Sequence, residues 1–303
     1  MADASITWIS GPVLRARTQA AFRINEAALV GEQRLLGEVI RLNGQEAVIQ
    51  VYENTTGLRP GDPISGTGAA LSVALGPGLL GNIFDGLLRP LTGQGRYVSP
   101  GVDRPDTQML YPFTPLVKRG DRLSAGKAFA VVQRSDARAQ RCLVPPGCEG
   151  KVVSIEPAGE YGDDDPVCVL SCDDGGSREI SMSHPWPVRE PRPVAARMPV
   201  EGPLFTGQRI LDSMFPLACG GRAAMPGGFG TGKTVLQETL AKWCDADVIV
   251  YVGCGERGNE MAGVLHEFPS LADPRTGRPL MERTVIIANT SNMPVAAREA
   301  SIY

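Results

Sequence analysis

Lysine and histidine are scarce in this chain of 303 residues: only five of the 30 basic residues are lysines, and the two histidines are His184 and His266. Acids outnumber bases by 33 to 30, so the net charge is −3 and no broad basic face for nucleic acid is expected. No apolar run approaches the roughly 18 residues that span a bilayer. The N-terminus, Met1-Ala-Asp-Ala-Ser5, lacks the basic start and apolar core of a secretory signal. The seven cysteines include no C-x-x-C pair, and an odd number favours reduced thiols in a reducing compartment. These absences predict a cytosolic chain, and they leave room for attachment to a membrane complex.

Cys142, Cys148, Cys168 and Cys172, with His184 farther along, raise the question of a zinc site. The run Val167-Cys-Val-Leu-Ser171 reads as strand, which sets Cys168 and Cys172 about 13 Å apart. Two ligands of one tetrahedral ion, with bonds of about 2.3 Å, cannot lie so far from each other. Small buried thiols are expected instead.

What the sequence does contain is a phosphate-binding signature. Gly227-Gly-Phe-Gly-Thr-Gly-Lys-Thr234 fits G-x-x-x-x-G-K-[ST]. In that pattern Gly227, Gly228, Phe229, Gly230, Thr231 and Gly232 wrap an anion with backbone N–H groups, because no Cβ at the glycines blocks the approach. Lys233 would reach the β- and γ-phosphates of ATP or ADP, and the Thr234 hydroxyl would bind Mg²⁺. The flanks agree with this reading. Arg222-Ala-Ala-Met225 is short enough for a strand entering the loop. Val235, Leu236, Thr239, Leu240 and Trp243 recur at the spacing of one helix face, so the loop opens a helix whose N-terminus also favours anions. Asp247-Val-Ile-Val-Tyr-Val252 and Thr284-Val-Ile-Ile-Ala288 read as strands buried on both faces. Asn259 to Phe268, and Pro294 onward to Tyr303, read as helices. The alternation predicts a doubly wound α/β P-loop NTPase domain with a parallel sheet, its ligand at the strand C-termini.

Glu256 and Arg257 follow directly on the first of those strands, at the edge where the phosphates would lie. A carboxylate there can orient and polarise the water that attacks a γ-phosphate, whereas the plainer reading is an acid at a helix N-terminus. Glu260 falls in the first helical turn and reads as the capping acid. Arg298, after the last strand, is placed either against phosphate or on a solvated helix face. His266 reads as a helix-surface residue.

Along the chain four regions are expected. Residues 1–70 carry short alternating strands (Leu36 to Leu42, Ala47 to Tyr52, Pro63 to Ser65) between turn signals such as Asn43-Gly44, which suggests a small antiparallel β-barrel. Residues 71–110 form a connection and the first part of the nucleotide-binding domain, with a short helix at Asn82 to Leu87. Residues 111–185 form a second β-rich module. The proline-dense run from His184 to Pro193 is read as an extended linker. Residues 186–303 hold the P-loop domain.

Gly253-Cys-Gly-Glu-Arg-Gly-Asn-Glu-Met261, Pro279-Leu-Met-Glu-Arg-Thr284 and the run from Ala288 to Tyr303 resemble the catalytic A subunits of V-type (vacuolar and archaeal-type) ATPases. So do Ser10-Gly-Pro-Val13, the run from Leu75 to Gly86, Trp186-Pro-Val-Arg189 and Leu204-Phe-Thr-Gly-Gln-Arg209. The resemblance implies membership of a rotary ATPase, in which catalytic subunits alternate with non-catalytic B subunits around a hexamer. Central and peripheral stalk subunits would join that hexamer indirectly to a membrane rotor sector that moves H⁺ or Na⁺. It implies that residues 1–70 form the ring and that the 111–185 module is an inserted bulge domain. It assigns Glu256 as the catalytic glutamate, places Arg298 near the γ-phosphate, and puts the chain in the cytoplasm against the membrane, with no nucleic-acid partner.

Gly228 departs from the family's usual proline, which makes the loop more flexible. Cys219 replaces a frequent lysine before Gly220. Tyr303 falls within an expected helix, before the strand that carries the family's magnesium aspartate. The sequence is therefore read as the N-terminal half of a protein of roughly twice its length, its parallel sheet incomplete, and the 303-residue chain alone is expected to show no measurable turnover. A catalytically silent ring subunit is the competing reading, and Glu256 counts against it. The acidic balance counts against a hexameric nucleic-acid motor.

Overall fold

The computed structural model describes residues 3–91, 109–133, 139–173, 175–194, 196–228, 230–291, 293 and 298. Phe229, and the expected helix from Pro294 to Tyr303 apart from Arg298, lie outside the described residues.

Six strands close into a barrel: β1 (Ala4–Ser10), β2 (Val13–Thr18), β3 (Glu26–Val30), β4 (Leu35–Asn43), β5 (Glu46–Val51) and β6 (Pro63–Ala70). Their order is β1-β2-β5-β4-β3-β6, with antiparallel neighbours throughout. Along β5, Ala47, Ile49 and Val51 are buried while Glu46, Val48 and Gln50 are half-exposed. That period of two sends one face into the barrel, where Leu14, Val30, Leu35, Val39 and Ile64 complete the core. Closure also removes free sheet edges.

Two buried carboxylates tie this barrel to segments remote in sequence. Glu38, 0% exposed, accepts Nε and Nη2 of Arg189 at 2.6 Å each and the Tyr52 hydroxyl at 2.5 Å. Burial, reinforced by the Glu38 carboxylate, holds the Tyr52 phenol well above its usual range. Glu53 accepts Arg89 Nη1 at 2.6 Å, and Arg89 Nε reaches Asp85 at the same distance.

β7 (Ser72–Leu75) leaves the barrel, and β8 (Ile83–Phe84) stands where the sequence predicted a helix over Asn82 to Leu87. The correction has a local cause. Asp85 Oδ1 accepts the N–H groups of both Leu87 and Arg89 at 2.9 Å, which turns the chain sharply. The Ile83–Phe84 pair is then free to lie parallel beside a strand of the last domain.

The next module is built from β9 (Leu110–Pro115), β10 (Arg122–Leu123), β11 (Ala128–Val132), β12 (Gln140–Leu143), β13 (Gly150–Ile155), β14 (Gly159–Gly162), β15 (Pro166–Cys172) and β16 (Ser177–Ser181). They make two four-stranded sheets, β10-β13-β15-β16 and β12-β11-β9-β14, over a shared core that includes Phe113, Phe129, Val152 and Leu170. Cys142, Cys168 and Cys172 are buried in this core, and burial pushes the thiols of Cys142 and Cys168 up to about 11. The proline-dense run begins as β17 (His184–Pro187), which pairs with β7. It is thus extended as predicted, yet pleated, because a strand with one partner leaves room for prolines on its free side.

The last domain contains β18 (Pro203–Leu204), α1 (Arg209–Met214), β19 (Leu217–Ala218), α2 (Lys233–Trp243), β20 (Ile249–Glu256), α3 (Gly258–Glu267) and β21 (Thr284–Thr290). Its parallel sheet runs β20-β21-β8. Met261, Val264, Phe268, Leu280 and Ile286 fill the space between sheet and α3. The strand predicted over Arg222–Met225 does not form. Two alanines and one methionine offer little apolar surface to anchor it, and no described strand flanks it. Val250 and Val252 of β20 are correspondingly exposed at 61% and 41%. Among the described residues no helix is long and apolar enough to cross a membrane.

Candidate functional site

The phosphate-loop signature leads directly into α2, as its pattern predicted. Gly230 and Gly232 hold φ angles of 74° and 81°, in the left-handed region where a side chain would strain the backbone. Gly232 is the N-cap of α2 and offers no side-chain acceptor to the helix's first N–H groups. A Cβ on Gly227 would stand 2.7 Å from Thr231 Oγ1, so only glycine leaves the loop this compact. Lys233, the first residue of α2, turns back and donates its ammonium to the carbonyls of Gly227 and Gly228, the latter at 3.1 Å. Thr234 follows in the same turn, half-buried. No residue of α2 itself is buried.

Glu256 closes β20, half-buried, alongside Thr290 of β21, and its carbonyl accepts the Ser291 N–H at 2.7 Å. The approach of α3 to this strand depends on Gly253. A Cβ there would collide with Met261 Sδ, so a glycine is what allows the helix to rest on the strand. The first turn of α3 thereby brings the Glu260 carboxyl to that of Glu256. Burial raises the Glu256 carboxyl above the ordinary carboxylate range, as do the hydrogen bond and charge of Glu260 and the charge of Glu238 on α2, while the Lys233 ammonium pulls it back. Tyr251, earlier on β20, feels the same three carboxylates in addition to its burial and rises to about 12. A cavity of about 330 Å³ along the open side of β20 ends at Glu256, with Gln237 and Leu240 of α2 on its other wall.

Arg257 is the N-cap of α3 and is exposed. Arg298 lies against the 253–256 segment. Its Cδ and Nη1 come within 3.8 and 3.9 Å of where a Gly255 Cβ would be, and its carbonyl accepts the Cys254 thiol at 3.4 Å. Its Nε is buried without a hydrogen-bond partner among the described residues. His266 is exposed in the last turn of α3.

The structure therefore gathers Lys233, Glu256 and two acids that sequence reasoning did not place in the site, Glu238 and Glu260. The place of Glu260 in the first turn predicts a capping acid, yet among the described residues α3 has no side-chain cap hydrogen bond and the Glu260 carboxyl turns to Glu256 instead. Spacing held a clue, since Glu260 falls in the helical turn that follows Glu256 directly.

Three family models match the chain in succession. They are the ATP synthase alpha/beta family beta-barrel domain over residues 6–68, the ATP synthase alpha/beta barrel-sandwich domain over 102–189, and the ATP synthase alpha/beta family nucleotide-binding domain over 207–303. A V-type ATP synthase alpha chain of Halothermothrix orenii is 51% identical across 98% of this chain and 52% of its own length. The A-type ATP synthase A subunit of Methanopyrus kandleri is 51% identical across 98% of this chain and 51% of its own. An A-type ATP synthase A subunit of Methanospirillum hungatei is 52% identical across 100% of this chain and 52% of its own. The chain thus spans about half the length of the curated relatives it matches. Among solved structures, the ATPase EscN of the enteropathogenic E. coli type III secretion system overlays 98% of this chain and 50% of its own, with a TM-score of 0.58 and 20% identity, a likeness of fold.

Proposed function

The chain belongs to the ATP synthase alpha/beta family, and from that premise we propose that it supplies the barrel, the β-rich module and the phosphate-binding part of a catalytic A-type subunit that hydrolyses or synthesises ATP. One observation carries the reading: the P-loop lysine at the start of α2 and a half-buried carboxylate at the end of β20 act on each other electrostatically. A phosphate chain held by the 227–234 backbone would take Lys233 as counter-charge, and Arg298, whose Nε is buried without a hydrogen-bond partner among the described residues, offers a second cation beside the 253–256 segment. Arg257, exposed at the N-cap of α3, would stand at the mouth of the same site.

Magnesium fits the donor set present. The Thr234 hydroxyl is a hard oxygen ligand in the first turn of α2, next to where the phosphates would lie, and the ion would neutralise charge on the phosphate oxygens. The part of Glu256 is to accept a hydrogen bond from the attacking water and orient it. The chain's partners would be non-catalytic B subunits alternating around a hexamer, stalk subunits, and, through them, a membrane sector moving H⁺ or Na⁺. The complex would sit on the cytoplasmic side.

Phosphate release from Mg-ATP, measured on this chain within a subunit of its relatives' length, tests the reading. Wild type turns over, and the acid side of its pH profile reflects ionisation of Glu256. Because the neighbouring acid holds that carboxyl up, Glu260→Gln lets Glu256 ionise at lower pH and shifts the acid limb downward. An acid limb that stays in place would contradict the pairing.

A further inference from the structure

Two of the five lysines stand at the two ends of one helix: Lys233 opens α2, and Lys242 lies in its last turn. At a rise of 1.5 Å per residue they are about 13 Å apart along the axis. The loop end of the helix is loosely held, since Arg222–Met225 forms no strand and Gly227, Gly228, Gly230 and Gly232 are exposed. Apolar burial does little more. No residue of α2 is buried, and among the described residues only Ala241, partly buried, joins the apolar core of this domain.

The firm contact is at Lys242. Its ammonium meets Glu267, in the last turn of α3, at 2.8 Å, and Glu238, one turn back on α2, at 3.8 Å. It also lies 5.9 Å from the centroid of Phe268, a fully buried ring that sits 5.6 Å from the ring of Tyr251 on β20. Among the described residues this is the one ion pair between α2 and α3. The helix α3 in turn rests on β20 through Met261 and Gly253, and its first turn brings Glu260 to Glu256. The strand, α3 and α2 thus form one frame, fastened at Lys242.

We propose that Lys242 is a positioning residue: by holding the last turn of α2 to α3, it fixes where the first turn, with Lys233, stands relative to Glu256. The role rests on the nucleotide-site reading and adds to it a side chain remote from the phosphate loop. Lever geometry makes the tie matter, because a tilt of about 5° at Lys242 displaces Lys233 by about 1 Å. Displacements of that size are costly where charges must line up with reacting atoms. Glu256 is faced by Glu260 from α3 and by Lys233 and Glu238 from α2, and Arg298 lies against its strand.

The test is a double-replacement cycle on the nucleotide-free chain, with ¹³C-labelled glutamate carboxyls titrated by NMR and Glu256 assigned by its loss in Glu256→Gln. Lys233→Met removes a cation that favours the Glu256 carboxylate, so Glu256 ionises at higher pH. In a Glu267→Gln or Lys242→Met background Lys233 has no fixed place, and the same replacement produces a smaller rise. Lys242→Arg keeps the pair and leaves the full rise. A charge acting only through space adds the same amount in every background, so equal rises throughout overturn the positioning role. No rise in the wild-type background overturns it together with the nucleotide-site reading, which separates the two failures. Phosphate release from Mg-ATP, in a subunit of the relatives' length, falls about two- to fivefold in Glu267→Gln, the worth of one partly exposed pair. Turnover that Glu267→Gln does not lower overturns the role as well.

Discussion

In this chain placed within a subunit of its relatives' length, replacing Glu256 by glutamine is expected to lower ATP turnover by about 10²–10⁴-fold while leaving nucleotide binding in place. The amide keeps the size of the carboxyl and remains at the end of β20, but it carries no charge and accepts a hydrogen bond weakly. A water beside a γ-phosphate would lose the group that orients it. Binding should survive, because the substitution removes a negative charge close to Lys233 and touches none of residues 227–234. Phosphate release and nucleotide titration on the same preparation separate the two effects. Turnover within a few-fold of wild type would remove Glu256 from the catalytic role.

Arg189→Leu should be the most damaging change to the scaffold. Glu38 is 0% exposed on β4, and Arg189 supplies two of the hydrogen bonds that neutralise it, each of 2.6 Å. Removing the cation leaves the buried carboxylate with the Tyr52 hydroxyl as its one remaining side-chain partner among the described residues, at a cost of about 3–5 kcal/mol. The loss should be local to the barrel. Amide exchange across residues 35–51 is predicted to speed up accordingly, while the core around Phe113 and Leu170 is unaffected. Adding Glu38→Leu to the same chain should recover most of the loss, because it removes the stranded charge. If the single variant exchanges like wild type, the ion pair does not hold the barrel to the run after β17.

Regular elements were the legible part. The period of two in β4 and β5 predicts the barrel wall, and the apolar runs at 247–252 and 284–288 predict β20 and β21, because burial on one or both faces dictates residue type directly. Short elements were not. Ile83–Phe84 is two residues long and is a strand only because β21 lies beside it, a contact across some two hundred positions that no local pattern carries. Arg222–Met225 failed in the opposite sense: its composition permits a strand, but permission without a flanking partner is not enough. In the site, a motif defined by backbone requirements points to the loop and to Lys233, the first residue of α2. It says nothing of Glu260, whose approach to Glu256 depends on Gly253 admitting Met261. Charges that meet through close packing of strand and helix leave little trace in one sequence.

The central claim is that residues 227–234 receive the phosphates of a nucleotide through Lys233. Calorimetric titration of Mg-ATP into the wild-type chain and into Lys233→Ala tests it most directly. Wild type is expected to bind saturably, and Lys233→Ala about 10- to 100-fold more weakly through the loss of charge-assisted hydrogen bonds to phosphate. The same affinity in both chains would contradict it.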